Sequence, residues 1–397
     1  MLSSPVAPGA GLRERLAAFD PTLLAPDRRA HALDRFLSLP SGRERAGRYW
    51  RIDLETVAPD AAAIAEIAGT VRIENANPRV VACDLAAAAR LHAPLLARAF
   101  GATSVQATKF GALATAFAGL GAFVYVPADV AAAEPIVVTY DLPAGAAAFP
   151  YTVVLAERGT HATVIERCDG GDGEAFVCGA TEIVTEEGAE VVYASRQRLS
   201  TAARVFQTRA ARPGRDARIS WACAELGGAL VVTDLSVAID RPGVDAHVTA
   251  LFFPQGSQHV DIVSTVDHVV GDSQSETLVK SAAVDRGQAR FLGNIRIAAN
   301  AQGSNANLRD DALLLSPKAH IDSVPALEIA ANDVKAYHGA TVGALDGEQI
   351  FYMESRGIER NAAERMIALG FFEPAIARFP TNALRDEIRT ALQAKLP

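Results

Sequence analysis

Residues 243–303 read GVDAHVTALFFPQGSQHVDIVSTVDHVVGDSQSETLVKSAAVDRGQARFLGNIRIAANAQG. Short runs in which valine, isoleucine and threonine recur at every second position alternate here with turns that carry glycine. Period-two apolar spacing marks strands, because successive side chains of an extended chain leave on opposite faces. The turns also keep time: Gly214, Gly228, Gly243, Gly256, Gly271, Gly287 and Gly303 are separated by 14, 15, 13, 15, 16 and 16 residues. The beat continues without glycine to turns near Pro317-Lys318 and Asn332-Asp333. An even beat of short strands with no helical crossovers suggests a solenoid more than a sandwich. Stacked coils give every strand neighbours above and below, so unpaired edges remain only at the two ends.

The same pattern extends back to Glu134, through runs at 136–140, 151–155, 191–193 and 230–232, and forward to Val342. Outside it the spacing is helical. Leu12, Leu16 and Phe19 share one face, as do Leu85 and Ala89, then His92, Leu95, Leu96 and Phe100; Pro21, Pro26, Pro40, Pro59, Pro78 and Pro94 break this part into short helices. After Gly343 helices return. Asp346 with Gln349, and Asn361 with Glu364, have capping-box spacing, and Gly357 and Gly370 stand where C-caps are expected. Thr381 opens a last helix whose Leu384, Ile388, Leu392 and Leu396 form one stripe, fit either to cover the open end of the solenoid or to meet a partner. The expected organisation is a helical region over 1–130, a β core over 131–343 and a helical region over 344–397.

The composition sets wide bounds. The chain has 397 residues and a formal charge of −8; that length alone allows two or three domains. The hydrophobic fraction of 50% includes 78 alanines, which leaves larger apolar residues at about 30%, still enough for a core and too much for disorder. The 33 arginines against 5 lysines read as a compositional bias without chemistry. Net acidity argues against a nucleic-acid binder. Cys83, Cys168, Cys178 and Cys223 form no CxxC pair, and the first residues, MLSSPVAPGAGLRERL, lack an apolar export segment, so reduced thiols in the cytoplasm are expected. Residues 110–128 carry no charge but are interrupted by glycine and proline, and read as a buried helix followed by a strand, with no membrane span expected.

The common enzyme signatures, GxxxxGK[ST], GxSxG and HExxH, are absent. Asp169, Gly170, Gly171, Asp172 and Gly173 form a tip read as a hairpin turn; Cys168 and Cys178 flank it, and two core thiols are favoured over a disulfide across the turn. His259 and Asp261, then Asp267 and His268, combine imidazole with carboxylate, a donor set that suits iron, zinc or manganese; a hydrogen-bonded ladder is the plainer reading. His161 and His320 lack a charged companion at useful spacing. His338 differs, because Gly339 and Gly343 leave little bulk around it. A partner or metal can approach, or the ring can hydrogen-bond the turn; spacing does not decide between them.

The run 275–358 resembles the SufB/SufD family of iron–sulfur cluster assembly proteins. The matching stretches are Gly293-Asn294-Ile295 with Ala301-Gln302, Asn307-Leu308, Leu313-Leu314-Leu315-Ser316, Pro325-Ala326-Leu327-Glu328-Ile329 and Asn332-Asp333-Val334-Lys335. The most specific is HGATVGALDGEQIFYMESRGI at 338–358, and YVPADV at 125–130 and HVDIVSTVDH at 259–268 agree with it. The length, the HGATVG stretch and the missing thiol at Pro317-Lys318-Ala319-His320 are similar to the SufD branch.

The resemblance implies a mainly β fold, a right-handed parallel β-helix core flanked by N-terminal and C-terminal α-helical regions. It implies a non-catalytic scaffold subunit that pairs with a SufB-like paralogue through the end of the β-helix. The C-terminal helices, with Gln349, Phe351, Tyr352 and Arg356, would hold a SufC-like ABC ATPase. His338 matches the histidine that faces a SufB cysteine. No cofactor is expected to stay bound; Fe²⁺ or an iron–sulfur cluster would be held transiently at the partner interface, and a role in iron acquisition is implied. One departure matters: many SufD members have a cysteine two residues before this histidine, where this chain has Ala336. A homodimer is the other assembly considered. The alternative from another class is a β-helix carbohydrate lyase or hydrolase, the latter needing paired carboxylates across a groove.

Overall fold

The computed structural model describes residues 10–19, 26–40, 48–49, 52–57, 59 and 64–396; Pro21 and the first nine residues lie outside these. Strands succeed one another by switching between two sheets. The first sheet runs Thr70–Glu74, Ile136–Leu142, His161–Gly170, Glu190–Arg198, Arg218–Glu225, Asp245–Phe252, Gln274–Ala283, Asn305–Leu314 and Lys335–Ala344. The second runs Val81–Asp84, Gly121–Val126, Tyr151–Ala156, Phe176–Thr185, Arg204–Arg212, Leu230–Ile239, His259–His268, Gln288–Ile297 and His320–Ile329, with Ala147–Ala148 pairing at its side. Only the first strand of each sheet is antiparallel to its neighbour. The rest stack in parallel as a two-sheeted β-solenoid of eight turns.

Leu230 pairs with His259, and His259 with Gln288, so one coil takes 29 residues. The glycine beat is therefore the period of a strand, half a coil. Two physical reasons lie behind it. At Gly243 the backbone is left-handed (φ +76°), and an added Cβ would meet the Asp216 carboxylate of the preceding coil at 1.8 Å. At Gly271 an added Cβ would lie 2.1 Å from the Gln302 carbonyl oxygen of the next coil.

Inward-facing rows such as Val205, Val231, Val260, Ala289 and Ile321 from the second sheet, with Ile219, Ala246 and Ala306 from the first, fill one continuous core. Both outer faces are covered as well. N-terminal helices lie on the second sheet, where the Phe110 and Phe206 rings stack at 3.7 Å. The helices Arg360–Ile376 and Asn382–Gln393 lie on the first. Many strands are thus apolar on both sides, and the abundant alanines let helices approach the sheets closely.

Several expectations need correction. The N-terminal region has the helices Pro26–Ser38, Leu85–Leu91, Ala93–Ala99 and Lys109–Ala116 but also the strands Thr70–Glu74 and Val81–Asp84, whose lengths are too short to carry a period. The solenoid begins with Gly121–Val126, ahead of the expected boundary at 131, because the uncharged stretch divides into the helix Lys109–Ala116 and this strand. The tip around Gly171 is not a hairpin: its flanking strands belong to different sheets. Asp346 and Thr381 cap helices, accepting from the Glu348 and Leu384 N–H groups. Glu359, not Asn361, precedes the helix Arg360–Ile376, and Gly370 lies inside that helix. The stripe of Leu384, Ile388, Leu392 and Leu396 packs with Leu251, Phe253, Leu278 and Val284 on the outer face of the first sheet. It does not close the end. No helix among the described residues is long and apolar enough to cross a membrane.

Candidate functional site

The last turn consists of His320–Ile329 and Lys335–Ala344, each the terminal strand of its sheet. Their outer backbone groups have no further strand to pair with among the described residues, and Val324, Ile329, Tyr337 and Val342 are exposed along them. A long edge of this kind is a template for pairing with another chain, and an exposed apolar row marks a contact surface.

His338 stands opposite Leu308 in register, and Ala336 opposite Ala306. Leu308 and Ala306 are buried and point into the core. Because side-chain direction repeats down a parallel stack, Ala336, His338 and Ala340 form the inward row at the mouth of the bore. His338 is exposed there, since among the described residues no coil lies above it. Among the described residues no hydrogen bond or ion pair engages its ring, so the turn-bonded alternative does not hold. Ala336 lies in this row too and offers only a methyl.

One strand below, Asp310 pairs in register with Ala340. Its side chain is fully buried. Oδ2 accepts a hydrogen bond from the Ser323 hydroxyl of the facing strand, while Oδ1 has no hydrogen-bond partner. Burial pushes this carboxyl up to about 6; the Ser323 hydrogen bond pulls it down and the neighbouring Asp311 charge adds to the rise. Nothing in the sequence pattern singled this residue out.

The other histidines on the strands are engaged. His268 sits between the Ser273 and Ser275 hydroxyls at 2.7 and 2.9 Å, and burial holds it down to about 4. Asp261 is paired with Arg290 at 2.9 Å; burial outweighs the guanidinium and raises it to about 6. The ladder reading of 259–268 therefore stands. Two companions escaped the spacing argument: Asp322 lies 2.8 Å from His320, and Glu190, one coil away, lies 3.2 Å from His161. No group of three or more His, Cys, Asp or Glu among the described residues is placed to hold a metal ion.

All four cysteines are free thiols. Cys168, Cys178 and Cys223 are buried, and burial raises each; Cys223 is pushed up to about 12 although Arg209 pulls the other way. None lies in the last turn. This chain brings an imidazole and a carboxylate to the mouth, and no thiolate.

Directly after the last strand, the helix Gly347–Ser355 is anchored by buried Ile350. Gln349, Tyr352 and Arg356 follow at i, i+3 and i+7 on an exposed face, with Phe351 beside them. Phe351 is 72% and Tyr352 59% exposed, and the Arg356 guanidinium lies over the Tyr352 ring at 5.1 Å. Met366 on the next helix is also exposed and was not anticipated.

Residues 139–371 match the family model described as SUF system FeS cluster assembly, SufBD core domain. The chain is 27% identical to the iron–sulfur cluster assembly protein SufD of Bacillus subtilis over 80% of its own length and 74% of that protein's. It is 37% identical to SufD of Escherichia coli over 41% of this chain and 37% of that protein. An iron–sulfur cluster assembly SufBD family protein of Mycobacterium bovis is 30% identical over 69% of this chain and 70% of its own length.

Proposed function

The chain belongs to the SufB/SufD family of iron–sulfur cluster assembly proteins and is most like SufD; from that membership we propose that it is the SufD-type scaffold subunit of a cluster-assembly complex. It pairs with a SufB-like paralogue through its last turn and holds a SufC-like ATPase on the helix Gly347–Ser355. At the paired mouth, His338 is a transient ligand for Fe²⁺ or a growing cluster, and the partner supplies the thiolate. The observation that carries the reading is the open last turn, with an unengaged imidazole at its mouth and exposed apolar residues along its edge. Imidazole with thiolate suits iron, and both bind it in their deprotonated forms. Raised thiols buried elsewhere in the chain support assigning the thiolate to the partner.

Gln349, Tyr352, Phe351 and Arg356 form the ATPase-docking surface in this reading. Two exposed aromatics and an arginine are the residue types that anchor interfaces. Deleting the C-terminal helices is a poor test, since the helices beyond 360 cover the first sheet.

The test is co-expression with the paralogue and the ATPase, followed by anaerobic purification and iron and sulfide analysis. His338→Ala should leave the three-protein complex intact and abolish its iron and sulfide content, whereas Phe351→Ser should lower recovery of the ATPase. Full iron and sulfide in the His338→Ala complex would remove the proposed ligand role.

A further inference from the structure

A native protein rarely leaves a fully buried carboxylate oxygen without a partner, and where one occurs an unseen water or ion is among the standard explanations. Asp310 is one such case among the described residues, as are Glu225 and Asp240, and its place is informative. It lies in the penultimate strand of the first sheet, in the inward row, with only the methyl of Ala340 opposite it in the last strand. The Ser323 hydroxyl, reaching across from the last strand of the second sheet, occupies Oδ2 and leaves Oδ1 unused. Lys280 and Arg309, the nearby cations, are taken up by Asp311 on the outward side, at 2.8 Å each. Among the described residues no basic side chain therefore compensates Asp310.

We propose that Asp310 Oδ1 is a binding atom for a divalent metal ion of the ferrous class, held at the mouth of the bore together with the imidazole of His338. The proposal rests on the reading of His338 given above and adds to it a ligand from this chain. The two residues lie on one inward face, on adjacent strands: His338 stands opposite Leu308, and Asp310 stands opposite Ala340, two positions further along. Carboxylate oxygen and imidazole nitrogen are hard-to-borderline donors that suit Fe²⁺ and its divalent neighbours better than they suit a sulfide cluster. The chain would thus receive a single ferrous ion by itself, without a cysteine at Ala336, and present it to the thiolate of its partner.

The rival explanation is an ordered water at Oδ1 with no metal. Titrating the isolated full-length chain with Co²⁺ under anaerobic conditions separates the two, since the visible spectrum of Co²⁺ reports its ligands. Wild type should bind with weak d–d bands and no sulfur charge-transfer band. Asp310→Asn, which keeps an acceptor for Ser323, should bind at least ~10-fold more weakly, as should His338→Ala. Far-UV circular dichroism and urea midpoints show whether each variant is folded.

Unchanged binding in folded Asp310→Asn, with loss in His338→Ala, would overturn the role of Asp310 and leave the histidine reading standing. No binding by the wild-type chain would overturn the site in this chain, while the three-protein complex continues to test His338 with its partner.

Discussion

His268 and His338 carry the same ring on strands of one solenoid, yet their environments are opposite. His268 is buried between two hydroxyls that can satisfy a neutral ring, and burial holds it down to about 4, against about 6.5 in an unfolded chain. Between those values the unfolded chain takes up a proton that the folded chain refuses. Stability from this residue is therefore present above about pH 6.5 and is lost as pH falls towards 4, by about 3 kcal/mol in all. His268→Gln removes the titration, so the urea-midpoint advantage of wild type over the variant should shrink as pH falls from 7 to 4. A gap independent of pH would mean that the ring is not held neutral. The sequence placed His268 and Asp267 side by side but could not tell ligand from ladder, because Ser273 and Ser275 reach the ring around a turn. His338 was legible in outline, since two glycines announced an open surface. Asp310 was not, because its isolation depends on Ser323 and Lys280, which lie in other strands.

Strands and turns were the most legible elements, since a stacked coil repeats one local conformation and leaves its glycines in phase. What the beat concealed is that its glycines serve different ends. Gly243 and Gly256 are both left-handed, with φ of +76° and +60°. At Gly243 an added Cβ collides with the Asp216 carboxylate at 1.8 Å, whereas at Gly256 nothing lies within 4 Å. Gly256→Ala should therefore cost only the left-handed backbone penalty, about 1–2 kcal/mol. Gly243→Ala should cost clearly more, and Asp216→Ala in the same chain should recover part of the excess. Urea unfolding of the three variants measures this; equal costs at the two glycines would show that the Asp216 contact carries no weight. Helix ends were less legible. Thr381 and Asp346 cap as their spacing suggests, but Gly370 continues its helix because Ala368 and Phe372 on either side of it pack into the cluster on the first sheet, and tertiary packing overrides a weak local preference.

At the scale of the whole molecule the two ends of the solenoid are not equivalent. At the first end the strands Thr70–Glu74 and Val81–Asp84 run antiparallel to the first coil and take up its edges. At the other, Lys335–Ala344 and His320–Ile329 are terminal, and the helices Arg360–Ile376 and Asn382–Gln393 lie on the side of the stack instead of over them. Helical periodicity fixes which face of the last helix is buried but not which surface receives it, so the sequence left the end and the flank of the solenoid equally available. The asymmetry makes the last turn the surface with most to gain from pairing. Exposed Val324, Ile329, Tyr337 and Val342 line it, and natural proteins protect such edges with charge when they are meant to stay alone. Supplying that charge is the direct test. Val342→Lys places an ammonium at a position 43% exposed, where an unpaired chain can solvate it and a paired one cannot. The urea midpoint of the isolated chain should move little, because surface substitutions of this kind usually change stability by no more than ~0.5 kcal/mol. Recovery of the proposed SufB-like partner in affinity purification should fall sharply, while recovery of the proposed ATPase, assigned to the helix Gly347–Ser355, should not. Wild-type recovery of the partner would mean that the open edge is not the pairing surface.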